Sequence, residues 1–270
     1  GYHVLSATSG PRALALAAND GNLVAHGITL FYYSITDGFE PGPRNRATVR
    51  RLLATLDALA PRFACQSRVH IRHERVNTEN HEELLGGIAA GRIHLLSLND
   101  HLPPLDQPAK IARYLAGAGR RWARRELETD AFLTTRQASR ALGAEQTREL
   151  VEQAHRHGVP LASHDDESLA DVERNRTLGT RIAEFPMSAE VAGAAREAGI
   201  AVLMGAPNLV RGGSHVGAIG VRQALEAGLV DILCSDYHYT SLFHAPFLAA
   251  RLGLLPLPAA WQLVSENPAR

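Results

Sequence analysis

The stretch VPLASHDDES, residues 159–168, runs from apolar residues straight into His164, Asp165 and Asp166. A solvated loop could carry such a triplet for solubility alone. A strand that opens into a site would carry it to bind a metal. The choice turns on whether the rest of the chain repeats the pattern.

The pattern recurs. Short β-rich runs read GITLFYYSI (27–35), RVHIRHE (68–74), IHLLSLNDH (93–101), VPLASHDD (159–166), RIAEFPMS (181–188), AVLMGAPN (201–208) and VDILCSDY (230–237). Amphipathic stretches lie between them. In TVRRLLATLDALAPRF (48–63), Val49, Leu52, Leu53, Leu56 and Leu59 fall at helical spacing. In SAEVAGAAREAG (188–199), Ser188 suits an N-cap and Gly199 a stop. Gly27, Gly158, Gly199 and Gly228 each stand just before a strand, where a helix end needs a left-handed residue.

Nearly continuous apolar strands alternating with helices predict an α/β fold of parallel strands covered by helices. Seven strands are legible, whereas a (β/α)8 barrel needs eight over roughly 250 residues. A doubly wound sheet tolerates seven but usually carries a glycine-rich phosphate turn, and neither GxGxxG nor GxxxxGK[ST] occurs. Residues 102–157 break the rhythm. They open with LPPLDQP and continue through arginine-rich helical patterns, as a helical insertion or a decorated surface pair would.

The strand ends favour the barrel. They read Glu74, Asn99-Asp100-His101, His164-Asp165-Asp166, Glu184, Asn208 and Asp236, so six of seven finish in a polar or metal-capable side chain. In parallel α/β folds, function gathers at the carboxyl ends of strands. Histidines with carboxylates suit Zn2+, Mn2+ or Fe2+, one ion or two, and such an ion acidifies its water.

Plainer roles remain open. Asp166 could cap the next helix, Asp236 could be a turn residue, Glu74 could pair with an arginine, and His101 could be structural. Glu184 is harder to set aside, because a carboxylate in an apolar strand needs a partner. A second cluster, GAPNLVRGGSH (205–215), joins Arg211, Gly212, Gly213, Ser214 and His215. It suits a phosphate or carboxylate, or forms a glycine-rich surface turn.

Composition narrows the classes. The 270 residues are 45% hydrophobic and 21% charged, with 28 basic against 28 acidic, which disfavours a nucleic-acid or acidic-membrane surface as main partner. All the basic residues except Lys110 are arginine. Cys65 and Cys234, far apart, offer neither a disulfide scaffold nor a cysteine zinc site, which fits the cytoplasm. Neither a bilayer-length apolar run nor a signal peptide is visible, and the first residue is Gly1 rather than Met.

ASHDD, IAEFP, GAPNLVRGGSH and DILCSDY, in this order, with AHGIT and HIRHE earlier, closely resemble one branch of the amidohydrolase superfamily. That branch is the α-D-ribose 1-methylphosphonate 5-triphosphate diphosphatases of the carbon–phosphorus lyase pathway. The resemblance covers nearly the whole chain. It implies a metal-dependent (β/α)8 TIM-like barrel that releases diphosphate from a ribosyl phosphonate triphosphate, a small phosphorylated substrate. It also implies that strand 1, with its HxH or HxD motif, and a flanking β-sandwich are missing from the chain.

Lys110 lies beyond the strand that supplies a carboxylated bridging lysine in many members, so Glu74 becomes the expected bridge. His164 matches the strand 5 ligand, and Asp236 the strand 8 acid that binds metal and acts as general base. His101 and Glu184 complete the expected ligands, with glutamate where a histidine is common. Asp165, Asp166, Asn208, Arg211, Ser214 and His215 would contact substrate. The rival readings are an amidohydrolase acting on another amide or ester, and a non-catalytic ligand-binding barrel. Homo-oligomerisation stays open.

Overall fold

The computed structural model describes residues 10–39, 44–119, 129–212 and 219–270; Ser214 and His215 lie outside them. Seven strands occur among the described residues, one in each stretch read as a strand. Two compact units divide the chain: Leu30–Pro160 with residues up to Asp20, and Leu161–Arg270 with Gly21–Thr29. The described chain begins in α1 (Gly10–Ala25).

In the first unit, β1 (Leu30–Asp37), β2 (Gln66–Glu74) and β3 (Leu95–Asn99) pair in parallel. Register sets Ser34 beside His70, Asp37 beside His73, and Glu74 beside Asn99. Helices α2 (Arg46–Leu59) and α3 (His81–Ala89) connect these strands. Asn45 starts α2 by accepting a hydrogen bond from the Thr48 amide at 3.0 Å. Val49, Leu52, Leu53 and Leu56 are buried, as their spacing predicts.

Between β3 and Pro160 come α4 (Pro108–Gly119), α5 (Thr129–Ala138) and α6 (Arg140–Arg156). These helices occupy the segment read as an insertion. Gly143 lets α6 approach the backbone after β2: a Cβ there would stand 2.0 Å from the Arg75 carbonyl oxygen. A small core of Phe39, Val76, Leu102 and Leu133 joins these helices to the ends of β1 and β2.

The second unit pairs β4 (Leu161–His164), β5 (Ile182–Glu184), β6 (Ala201–Gly205) and β7 (Ile232–Cys234) in parallel. Helices α7 (Leu169–Thr177), α8 (Ala189–Glu197), α9 (Ala206–Arg211) and α10 (Val221–Glu226) alternate with them, and α11 (Tyr239–Arg251) and α12 (Leu257–Gln262) follow. Val191, Val202, Met204, Leu225 and Leu233 form its core. Ser188 caps α8 as expected, accepting from the Val191 amide at 3.2 Å. Gly27, Gly158, Gly199 and Gly228 all adopt φ between 66° and 76°, the left-handed conformation their positions predict.

Two local expectations are corrected. Asn208 does not end β6, which stops at Gly205; it lies within α9, where Pro207 favours a helical first turn. Asp166 does not cap α7. Ser168 does, in a reciprocal capping box with Asp171. Among the described residues, no helix is long and apolar enough to cross a membrane.

Candidate functional site

Polar residues collect at the carboxyl ends of the strands in each unit. In the first, side chains alternate along β2, so His70, Arg72 and Glu74 share one face while Ile71 and His73 share the other. His70 lies 3.1 Å from Ser34 Oγ on β1 and 2.5 Å from Ser97 Oγ on β3, a polar row across three strands. Glu74 closes the same face. Its Oε1 lies 2.5 Å from His101 Nδ1, and its Oε2 accepts from the His101 amide at 3.2 Å.

Burial alone would raise the Glu74 carboxyl. The charge and hydrogen bonds of His101, with the charge of Arg72, outweigh it and hold the carboxyl below its ordinary value. The partner of Glu74 is thus chiefly a histidine rather than an arginine. The carboxylate holds the His101 ring through Nδ1, an arrangement common behind metal-binding histidines.

The opposite face holds a cluster that the sequence reading missed. Asp37, 0% exposed, accepts from Arg46 Nε at 2.6 Å and Nη2 at 2.7 Å. His73 Nδ1 lies 2.7 Å from Asp37 Oδ2, and Asn77 Nδ2 donates to Oδ1 at 3.2 Å. Burial favours protonation of Asp37, but hydrogen bonds and charges from His73 and Arg46 prevail and lower its pKa. β1 was read as ending at residue 35. Carried on to Asp37, it gives the seventh strand a polar end as well, and Thr-Asp-Gly was the signal available. A cavity of about 460 Å3 opens beside this cluster, with Arg46, Arg50, Phe132 and Arg136 in its wall. Its arginines already hold acids: Asp37, Glu83 and Glu79.

The second unit is organised by its backbone. Asp165 (φ 57°), Phe185 (φ 57°) and Asp236 (φ 46°) are left-handed non-glycine residues, each just past the end of β4, β5 or β7. For phenylalanine especially this conformation is strained, and such strain clusters at functional sites. The extended ladder fixes it: the Asp165 amide donates to the Glu184 carbonyl at 2.9 Å, and the Phe185 amide to the Leu203 carbonyl at 3.0 Å.

His164 ends β4 with its side chain 10% exposed and Nδ1 3.0 Å from Asp165 Oδ2. Its ring meets Phe185 edge-on at 5.4 Å. Glu184 pairs with His164 in the register and is 7% exposed. Gly205 ends β6 in a close-packed spot, where a Cβ would lie 3.4 Å from both Asp236 Oδ2 and the Phe185 ring. Cys234 lies near the two remaining acids. Burial, then the charges of Asp236 and Glu184, push its thiol far up, so it remains protonated.

Asp166 turns inward, 6% exposed, and its two oxygens accept from Ser163 Oγ at 2.6 Å and Asn175 Nδ2 at 2.9 Å. Burial raises its pKa against those bonds. Arg211 stacks on Tyr237, 4.8 Å from the ring centroid, and donates to its hydroxyl at 3.0 Å. Gly212 ends α9 with φ 72°. The rest of the expected anion turn, Gly213, Ser214 and His215, lies outside the described residues.

The chain has a relative among known proteins. The chain is 32% identical over 266 residues to the α-D-ribose 1-methylphosphonate 5-triphosphate diphosphatase of Escherichia coli (strain K12), covering 96% of this chain and 70% of that protein. The chain belongs to that diphosphatase family. No family model matches it. Among solved structures, it is similar to an uncharacterised protein at 12% identity and TM-score 0.48, covering 98% of this chain and 73% of the other. It is also similar to tryptophan synthase from M. tuberculosis at 14% and 0.42, covering 95% and 86%. The 7,8-dihydropteroate synthase of Vibrio fischeri ES114 gives 13% and 0.34, covering 100% and 88%. Within the diphosphatase family, this chain is thus an α/β protein whose strand ends carry histidines and carboxylates.

Proposed function

We propose that this protein is a metal-dependent hydrolase of the amidohydrolase superfamily, built on a (β/α)8 barrel. It cleaves the triphosphate of a ribosyl phosphonate and releases diphosphate. The family relationship supports the hydrolase class and the substrate. The observation that carries metal dependence is the Glu74–His101 pair, in which a buried carboxylate orients a strand-end imidazole through Nδ1, as carboxylates do behind metal-binding histidines.

The donor set fits one or two divalent ions, Zn, Mn or Fe. In the first unit His101 would supply nitrogen and Glu74 oxygen; in the second His164 would supply nitrogen and Glu184 and Asp236 oxygen. When bound, the ion supplies Lewis-acid stabilisation of phosphoryl charge and acidifies water. The chain's residues do the rest. Glu74 sets the His101 ring, and the left-handed turn at Asp165 aims the end of β4. Asp236 accepts the proton of the attacking water as the phosphoanhydride bond breaks and diphosphate departs. Arg211, with Ser214 and His215, holds phosphate oxygens, and Asp165 and Asn208 face the substrate. Asp166 supports that turn from inside. We read the enzyme as cytoplasmic, working on a small phosphorylated molecule without nucleic acid or membrane.

The test is diphosphate release from α-D-ribose 1-methylphosphonate 5-triphosphate by the purified protein, before and after chelation and after metal is restored. Turnover that chelation abolishes and metal restores supports the reading. Failure to hydrolyse this substrate while an amide or ester is cleaved would move the protein to another amidohydrolase activity.

A further inference from the structure

Asn99 is the last residue of β3 and is 2% exposed. Among the described residues, neither its Nδ2 nor its Oδ1 has a hydrogen-bond partner. Leaving a buried polar group unmet costs about 1–3 kcal/mol, so both poles of one amide form a conspicuous debt in a folded chain. Its position is informative. Ser97, two residues earlier, meets His70 on the polar face of β2, and the register sets Asn99 directly beside Glu74. Alternation therefore puts the Asn99 amide on the face that carries His70, Arg72 and Glu74, next to the Glu74–His101 pair.

A ligand that satisfies both poles must donate to Oδ1 and accept from Nδ2 within a small space. A phosphate oxygen without a proton meets only Nδ2, and it would also stand near the buried Glu74 carboxylate. A hydroxyl group meets both. We propose that Asn99 is a substrate-binding residue that grips a sugar hydroxyl, making it a determinant for the ribosyl half of the substrate rather than the polyphosphate half. This rests on the diphosphatase reading above.

The experiment compares two probes with the wild-type protein, Asn99→Leu and Asn99→Ser. One is α-D-ribose 1-methylphosphonate 5-triphosphate as substrate; the other is inorganic triphosphate, which has no sugar, as competitive inhibitor. Leucine keeps the volume and removes both poles. Serine keeps a hydroxyl but withdraws it from the sugar, and guards against a folding defect of the leucine variant. Both should raise KM for the ribosyl substrate about tenfold, the scale of one or two lost hydrogen bonds, and leave the inhibition constant of inorganic triphosphate unchanged. An unchanged KM, or KM and the inhibition constant rising together, would overturn the assignment. A wild-type protein that fails to turn over the ribosyl triphosphate sinks the functional reading and the assignment with it. Wild-type turnover with unaffected variants sinks the assignment alone.

Discussion

Asp37 and Asp236 both stand at the end of a strand, yet they are held by different means. Asp37 sits on ordinary backbone, fully enclosed, with Arg46 and His73 on its oxygens. Asp236 sits on left-handed backbone, with its carboxylate 3.4 Å from where a Cβ at Gly205 would stand. The contrast extends to their units. Near Asp37, Glu74 is likewise held by a side-chain partner, His101. Near Asp236, Asp165 and Phe185 are likewise left-handed. Ion pairing fixes a carboxylate by satisfying it, whereas backbone strain fixes the direction of a side chain. At Asp37 the first kind of order serves stability, while at Glu74 it sets the His101 ring; the second is the kind expected where side chains must meet a ligand.

The sharpest break of this comparison is Arg46→Ala. It strands a fully buried carboxylate, so unfolding in urea should show a loss of about 3–5 kcal/mol. A loss below about 1 kcal/mol would mean that the Asp37 cluster is not what holds this unit's strand ends. In the other unit, Arg211→Ala should cost about 1.5–3 kcal/mol of substrate binding, read by titration calorimetry, with metal content unchanged. If metal is lost as well, the Arg211–Tyr237 stack is structural. Asp165→Gly relaxes the left-handed turn, so stability should move by no more than about 1 kcal/mol. Turnover should still drop about a hundredfold, because the end of β4 is no longer aimed. A large stability loss with normal turnover would mean that the left-handed turn is structural rather than aiming.

The subtlest difference lies in acid titration. The Asp37 carboxyl is lowered on folding, so its stabilisation is complete above the unfolded value near 3.8 and disappears as pH falls through the folded value. The Asp166 carboxyl is raised, so its contribution is complete below 3.8 and is lost as pH rises through the folded value. Melting temperature followed from about pH 3 to 7 should fall on the acid side for wild type. Asp166→Asn should abolish an opposing decline that begins above 3.8. An unchanged profile in that variant would mean that Asp166 titrates as an ordinary surface carboxyl.

Much of this was legible in the residues. The alternation of apolar runs with helical spacing located all seven strands, and the four left-handed glycines marked the helix ends before them. Strand ends were less secure, because a strand's last turn is decided by pairing that a single sequence does not display. Hence β1 was cut short of Asp37, and Asn208 was assigned to a strand although Pro207 begins a helix there. The partners of a carboxylate were also hidden. Nothing local says that Asp166 will turn to Ser163 and Asn175 while Ser168 takes the cap, since both aspartate and serine cap helices well. The left-handed Phe185 was unreadable for the same reason: a phenylalanine offers no sign of positive φ.

The claim at the centre is that strand-end histidines and carboxylates serve metal-dependent hydrolysis, and His164 tests it most directly. Asparagine keeps a polar side chain of similar size there but removes the imidazole nitrogen. Metal content by elemental analysis and diphosphate release would be measured on wild type and His164→Asn, with circular dichroism to verify the fold. The account predicts a folded variant that has lost most of its bound metal and nearly all its turnover. Wild-type protein that hydrolyses the triphosphate equally well after thorough chelation, or a His164→Asn variant that retains both metal and turnover, would contradict it.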